Sequence, residues 1–304
     1  MKLHRVDGIL EINQLAQHTI ILAGLGSLGS MTAANLAYPW KEIVLVDPED
    51  LGPENVERHV LGYDSLNKPK VDEMRKWLVN RGLDDSIITA HKGYIQDIFS
   101  SYKHASVVIC NIDNTPRLDV NRWCIENNIP AVYGGIYPLG IGGEIDVIPN
   151  PREACYVCAQ QLVGGNEYKG KEGVDYGLDP SLFVDDRGDA HAVPALRHII
   201  SKTAGDMAAA TMDLLLENTQ IDASIMVEAD SWLEVLYASS SKIKPFSEYI
   251  SATKSSGLIP NAKIGMKEGK FVLEMRKGTF TLNVNRWNEC PYHNDGNVVL
   301  AEDI

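Results

Sequence analysis

One stretch near the N-terminus constrains the fold more than any other. Thr19–Ala23 is an apolar, β-branched run, Gly24-Leu25-Gly26-Ser27-Leu28-Gly29 a glycine loop, and Ser30–Leu36 the start of a helix. Strand, tight turn and helix N-terminus in that order present backbone N–H groups to a phosphate. Gly24, Gly26 and Gly29 serve the turn, the close backbone approach and the helix–strand contact. Glu42–Val46 then makes a second strand ending at Asp47, 18 residues after Gly29, where a carboxylate meets ribose hydroxyls. The glycine motif alone is weak; with strand, helix and acid in sequence it predicts a nucleotide-binding α/β fold.

The residues beyond Asp47 separate nucleotide classes. Asn55-Val-Glu-Arg58-His59 and Lys68-Pro-Lys70 place an amide, a guanidinium and an amine just past the ribose carboxylate. A nicotinamide dehydrogenase has no use for cations there, whereas a triphosphate needs several to offset its charge. Taken singly, Arg58 and Lys70 read as surface cations and Asn55 as a helix cap. His59 reads as structural. Asp113 and Asn114 come after the strand Ser106–Cys110 at its carboxyl end, the edge where open α/β sheets bind ligands. A carboxylate there suits Mg²⁺ against phosphates; the competing reading is an Asx turn or N-cap, which Asn114-Thr115-Pro116 suits, for a helix starting near Arg117.

Residues 17–135 alternate short apolar runs with amphipathic stretches, with further strands at Ile87–His91, Ser106–Cys110 and Ala131–Tyr133. Between the second and third strands Val71, Met74, Trp77 and Leu78 share a helical face. Glu144–Ile148 alternates like an added strand after the glycine-rich turn Gly140–Gly143. Gln160–Val193 has no period; Pro194 opens a helix running to about Glu217, with Ala208, Met212, Leu215 and Leu216 for packing. After Ile225 the chain reads as β: Ile225–Glu228, Trp232–Tyr237, Lys270–Met275 and Thr279–Val284. The expected layout is a nucleotide-binding Rossmann-like core over 1–150, with 151–304 completing the same fold as a crossover loop, helix and β-rich region. A formal net charge of −13 speaks against a nucleic-acid backbone as partner. No leader or membrane-spanning run is evident, so a cytoplasmic location is expected.

Cys155-Tyr-Val-Cys158 and Cys290-Pro-Tyr-His293 are two chelating hooks of equal spacing, 132 residues apart. Two such hooks close a tetrahedral Zn²⁺ site, read here as a structural staple of the β-rich region. A lone Cys-x-x-Cys would equally suit a redox pair.

The ordered set GLGSLG, VDPEDLGPENVERH, NKPKV and CNIDNTPR resembles the adenylation domain of ubiquitin-activating enzymes and their bacterial relatives, the ThiF/MoeB superfamily, over roughly residues 18–235. The resemblance implies that Asp47 binds ribose, that Asn55, Arg58 and Lys70 hold the triphosphate of ATP, and that Asp113 is the Mg²⁺-linked carboxylate. It also places Cys-x-x-Cys pairs where the two hooks stand, His293 replacing the last cysteine, and implies a homodimer. The implied reaction is adenylation of a terminal carboxylate, on a ubiquitin-like or sulfur-carrier protein ending in glycine. Alternatives are a small carboxylate, a peptide, a modified tRNA base, or a scaffold without turnover.

The chain also departs from that pattern. Residues 159–289 contain no cysteine to serve as a crossover thioester nucleophile. The spare thiols, Cys110 and Cys124, fall in a core strand and a helix, where burial makes them inert. Arg5 alone stands where relatives carry an arginine-rich leader. Gln160–Val193 corresponds to the crossover segment, and Gly134-Gly135 and Gly142-Gly143 either leave room for a substrate tail or form turns.

Overall fold

A computed structural model of the chain describes residues 12–112, 116–136, 142–162, 196–216, 223–229, 263–267, 270–274 and 278–293. A short helix α1 (Ile12–Leu15) leads into β1 (Thr19–Ala23), α2 (Ser27–Asn35) and β2 (Glu42–Val46). The turn helix α3 (Pro53–Val56), then α4 (Lys70–Asn80), β3 (Ile88–His91), β4 (Val107–Cys110) and α5 (Pro116–Asn127) come next. Strands β5 (Ala131–Ile136) and β6 (Gly142–Ile148) precede α6 (Tyr156–Leu162) and α7 (Arg197–Leu216). The remaining described strands are β7 (Ser224–Ala229), β8 (Lys263–Lys267), β9 (Lys270–Glu274) and β10 (Gly278–Asn283).

Eight strands form one sheet in the order β10-β7-β6-β5-β4-β1-β2-β3, and β8 and β9 form a separate hairpin. Strands β3, β2, β1, β4 and β5 are parallel, and β6, β7 and β10 join antiparallel. The Rossmann-like α/β expectation therefore holds. Chain order reverses between β1 and β4, and that switch point is where a sheet of this kind opens a crevice beyond the carboxyl ends of its strands.

The central strands are apolar throughout because both their faces are covered. Ile21, Ala23, Val44, Val46, Val108 and Cys110 pack on one face, among residues of α5 and α6. Ile20, Leu22, Ile43, Leu45, Val107 and Ile109 pack on the other, against α2, α4 and α7. Burying each valine, leucine or isoleucine among them contributes about 1.5–3 kcal/mol. In α4 the expected face forms: Val71, Met74 and Leu78 are buried, and Trp77 packs partly buried beside them.

Element ends shift from the sequence expectation where backbone geometry outweighs hydrophobic pattern. Helix α2 begins at Ser27 rather than Ser30, because Gly26 already accepts the first helical hydrogen bond, from Ser30 N–H at 2.9 Å. Strands β5 and β6 run on to Ile136 and back to Gly142, so Gly134, Gly135, Gly142 and Gly143 lie in strands rather than turns. A Cβ on Gly134 would stand 2.1 Å from Met207 Sδ, and one on Gly143 2.4 Å from Thr203 Oγ1. At those two positions glycine admits α7 onto the sheet; at Gly135 the nearest atom is an Arg117 nitrogen at 3.7 Å, an ordinary contact. The Lys263–Lys267 strand is not evident from pattern, and Trp232–Tyr237 and most of Gln160–Val193 lie outside the described residues.

Two glycines of the loop have opposite structural demands. A Cβ on Gly29 would sit 1.9 Å from the Gly24 carbonyl oxygen, whereas one on Gly26 meets nothing within 4 Å. Gly29→Ala is expected to lower stability by about 3 kcal/mol or to prevent folding, because a backbone atom must move. Gly26→Ala should stay within about 1 kcal/mol of the parent. Urea denaturation midpoints of the two variants check this.

Candidate nucleotide site and metal centre

The glycine loop leaves β1 at Gly24, whose φ of +84° suits only glycine; a Cβ there would also lie 2.9 Å from the Asn111 carbonyl. The loop then turns into α2, and the N–H groups of its first turn have no helical carbonyl to bond. The open space above Gly26 makes this turn a place where an anion can approach backbone closely.

Asp47, at the carboxyl end of β2, is buried. Its Oδ2 accepts from Leu25 N–H at 2.6 Å and its Oδ1 from Glu49 N–H at 2.9 Å. Burial raises its pKa, opposed first by the nearby Lys70 charge and then by the two N–H donors. Each carboxylate oxygen keeps further acceptor capacity, which suits ribose hydroxyls.

The segment after Asp47 folds back along the loop. Asn55 accepts from Gly52 N–H through its side chain at 3.2 Å, so the capping role is real. Arg58 comes one turn later, half-buried, its N–H donating to Asn55 O at 2.9 Å. His59 is buried: its Nδ1 accepts from Leu61 N–H at 3.0 Å, so Nε2 carries the proton and donates to Leu25 O at 2.7 Å. Burial depresses its pKa to about 4. A neutral imidazole with both nitrogens engaged by backbone is a brace, in keeping with the structural reading. Lys70 opens α4 and is buried to 2% exposure, its ammonium paired with the exposed carboxylate of Glu49. The sequence reading of Lys70 as a mere surface cation is thereby excluded.

Asp113 lies outside the described residues, and Arg5 does as well. The described residues on either side of Asp113 make defined contacts. Before it, Asn111 N–H donates to Ala23 O at 2.7 Å. After it comes Arg117, a buried cation to which sequence reasoning assigns no role. Its guanidinium donates to Ile112 O, to Gly134 O at 2.7 Å and to the Tyr156 hydroxyl at 3.3 Å. The one signal in the sequence is position: an arginine closing the CNIDNTPR stretch at the carboxyl edge of the sheet. Glu49, the partner of Lys70, likewise carries no sequence-level signal.

On the other side of Tyr156 the two hooks converge. The donor atoms of Cys155, Cys158, Cys290 and His293 all lie within 4.8 Å of one another. Cys155 Sγ is 3.9 Å from Cys158 Sγ and 3.7 Å from Cys290 Sγ, and Cys158 Sγ is 3.4 Å from His293 Nδ1. A tetrahedral Zn²⁺ with bonds of about 2.3 Å to sulfur sets neighbouring sulfurs about 3.8 Å apart, so the set fits zinc. The supporting contacts fit as well. His293 Nε2 donates to Pro151 O at 2.9 Å, which leaves the Nδ1 lone pair for the ion, and Trp287 N–H donates to Cys158 Sγ at 3.4 Å. Burial pushes the Cys155 thiol up, while hydrogen bonds from Cys155 and Cys290 pull the Cys158 thiol down. Cys110 and Cys124 are fully buried, and burial raises the Cys124 thiol.

Because the hooks join α6 to the segment after β10, the ion's binding energy is folding energy. The purified protein is expected to carry one zinc per chain by elemental analysis. Chelation should lower its thermal midpoint by several degrees or aggregate it, and readdition of zinc should restore it. A metal-free protein with an unchanged midpoint would contradict the staple.

Similarity to known proteins agrees with this geometry. Ubiquitin-like modifier-activating enzyme 5 of Culex quinquefasciatus is 25% identical over 178 residues, covering 54% of this chain and 45% of that protein. Its counterpart in Caenorhabditis elegans is 23% identical over 231 residues, covering 71% and 52%. The chain thus spans about half the length of the curated relatives it matches. Among solved structures, E. coli MccB with ATP superposes with a TM-score of 0.56 at 16% identity, over 93% of this chain and 68% of that one. The microcin C7 biosynthetic enzyme MccB in complex with N-formylated MccA gives 0.58 at 15%, over 93% and 69%. At such identities the likeness is one of fold. The model of the ThiF family matches residues 1–234, and the chain belongs to that family.

Proposed function

We propose that this chain is an ATP-dependent adenylyltransferase acting on the terminal carboxylate of a ubiquitin-like or sulfur-carrier protein. The observation that carries the reading is the buried Lys70 ammonium near the buried carboxylate of Asp47, beside an open glycine turn. Sequence relatives that activate ubiquitin-like modifiers, and a fold shared with a protein solved with ATP, support it.

On this reading Asp47 takes the ribose and the first-turn N–H groups of α2 take phosphate oxygens. Asn55, Arg58 and Lys70 offset the charge of the polyphosphate, Lys70 exchanging Glu49 for phosphate as the nucleotide binds. Asp113, a hard oxygen ligand, would hold Mg²⁺, which when bound neutralises phosphate charge. A carboxylate oxygen of the substrate attacks the α-phosphorus, the bond to the pyrophosphate oxygen breaks, and acyl-adenylate and pyrophosphate result. Rate comes from alignment and charge stabilisation rather than from a protein nucleophile. The protein works as a cytoplasmic homodimer, and the two parts 1–150 and 151–304 act as one adenylating unit.

The absence of cysteine from 159–289 favours a route that ends at the adenylate or passes it directly to an acceptor. It equally suits a peptide or small carboxylate as substrate. A modified tRNA base fits poorly with the net charge of −13. A scaffold without turnover would bind its partner and leave ATP unchanged.

ATP–pyrophosphate exchange tests this directly. Exchange is expected only with a substrate ending in a free glycine carboxylate, and should fall at least about 10²-fold in Asp113→Ala. Exchange with a short peptide alone would select the second reading. Bound ATP without exchange for any carboxylate would favour the scaffold.

A further inference from the structure

Asn111 is the first residue beyond β4, on the far side of the switch point from Asp47. Its Cβ stands 3.3 Å from the place a Cβ on Gly29 would occupy, so the side chain leaves the sheet towards the first turn of α2. Its side-chain nitrogen and oxygen are both sealed from water, and neither has a hydrogen-bond partner among the described residues. The contrast is Asn121, whose buried Oδ1 is used by Tyr156 N–H at 3.0 Å. A buried carboxamide with two donors and two acceptor lone pairs unused is a cost the fold carries unless something satisfies it.

We propose that Asn111 is a nucleotide ligand whose side-chain N–H₂ donates to a phosphate oxygen when the crevice fills, a reading that rests on the crevice being the ATP site. Position selects phosphate over ribose. Asp47 ends β2 and Asn111 lies just past β4, on opposite sides of β1, so two strand spacings of about 4.8 Å separate their backbones. A ribose at Asp47 therefore directs its phosphates across the end of β1, over the loop between Gly24 and Gly29 and towards Asn111. The amide is sealed in the free protein, so on this proposal the side chain turns towards the loop as the nucleotide enters. A neutral donor there would add a bond without adding to the charge already supplied by Lys70.

Calorimetric titration of Mg·ATP and of adenosine into the parent, Asn111→Ala and Asn111→Asp, with a urea denaturation curve of each free protein, tests the assignment. The alanine variant should bind ATP about tenfold or more weakly, bind adenosine as the parent does, and match or exceed the parent in stability without ligand. The aspartate variant should lose more ATP affinity, with adenosine again unaffected. ATP affinity of Asn111→Ala within twofold of the parent would overturn the proposal. So would an equal loss for adenosine, or a sharp drop in ligand-free stability, either of which makes the residue structural. A parent that binds no ATP overturns the reading of the crevice itself, which separates that failure from this one.

Discussion

Leu25 is held at both of its peptide groups, and the rest of the site depends on that grip. Asp47 Oδ2 accepts its N–H at 2.6 Å, and His59 Nε2 donates to its carbonyl at 2.7 Å. One contact comes from the end of β2 and the other from the segment that also carries Asn55 and Arg58. The glycine loop is therefore clamped between the Asp47 carboxylate and the stretch carrying His59 before any ligand arrives. Donors fixed in advance need no reorganisation when charge develops, which is the physical basis of electrostatic catalysis. Burial keeps His59 neutral, and Lys70 is buried beside it, so the same low-dielectric setting that raises Asp47 strengthens the cation's hold on an anion.

A second line of contacts joins the metal centre to the same edge. Next to Cys155 stands Tyr156, whose hydroxyl accepts from Arg117 and whose ring stacks on Tyr133 of β5 at 4.4 Å between centroids. Arg117 in turn holds the carbonyl of Ile112, the residue before Asp113. The zinc hooks thus brace the helix that braces the arginine at the base of the β4–α5 connection. His293 completes the donor set through Nδ1, 3.4 Å from Cys158 Sγ.

Much of this is legible in the sequence where one residue type has one physical reason to be present. The apolar runs of β1, β2 and β4, the glycines of the loop and the paired hooks are of that kind. Lys70 and Asn55 are legible only as a set, since each alone has an ordinary surface explanation. Tertiary contact sets the features that sequence reasoning misses. Gly134 and Gly143 read as room for a substrate tail or as turns, whereas in the fold Met207 and Thr203 of α7 take the space of a side chain there. Arg117 escapes because its partners Gly134 and Tyr156 come from elements that only the folded sheet brings beside it. Asn111, one residue past the strand, carries no signal of its own in the sequence; only the close approach of Gly29 in α2 and the sealed, unpartnered amide among the described residues mark it.

On the proposed reading, the cations beyond Asp47 make this crevice a triphosphate site rather than a dinucleotide site. Equilibrium titration of Mg·ATP, with NADH as competitor, into the parent and Lys70→Ala tests it most directly. ATP is predicted to bind, to resist displacement by NADH, and to bind about tenfold or more weakly once the buried ammonium is removed. Tighter binding of NADH than of ATP, or ATP affinity indifferent to Lys70, would contradict it.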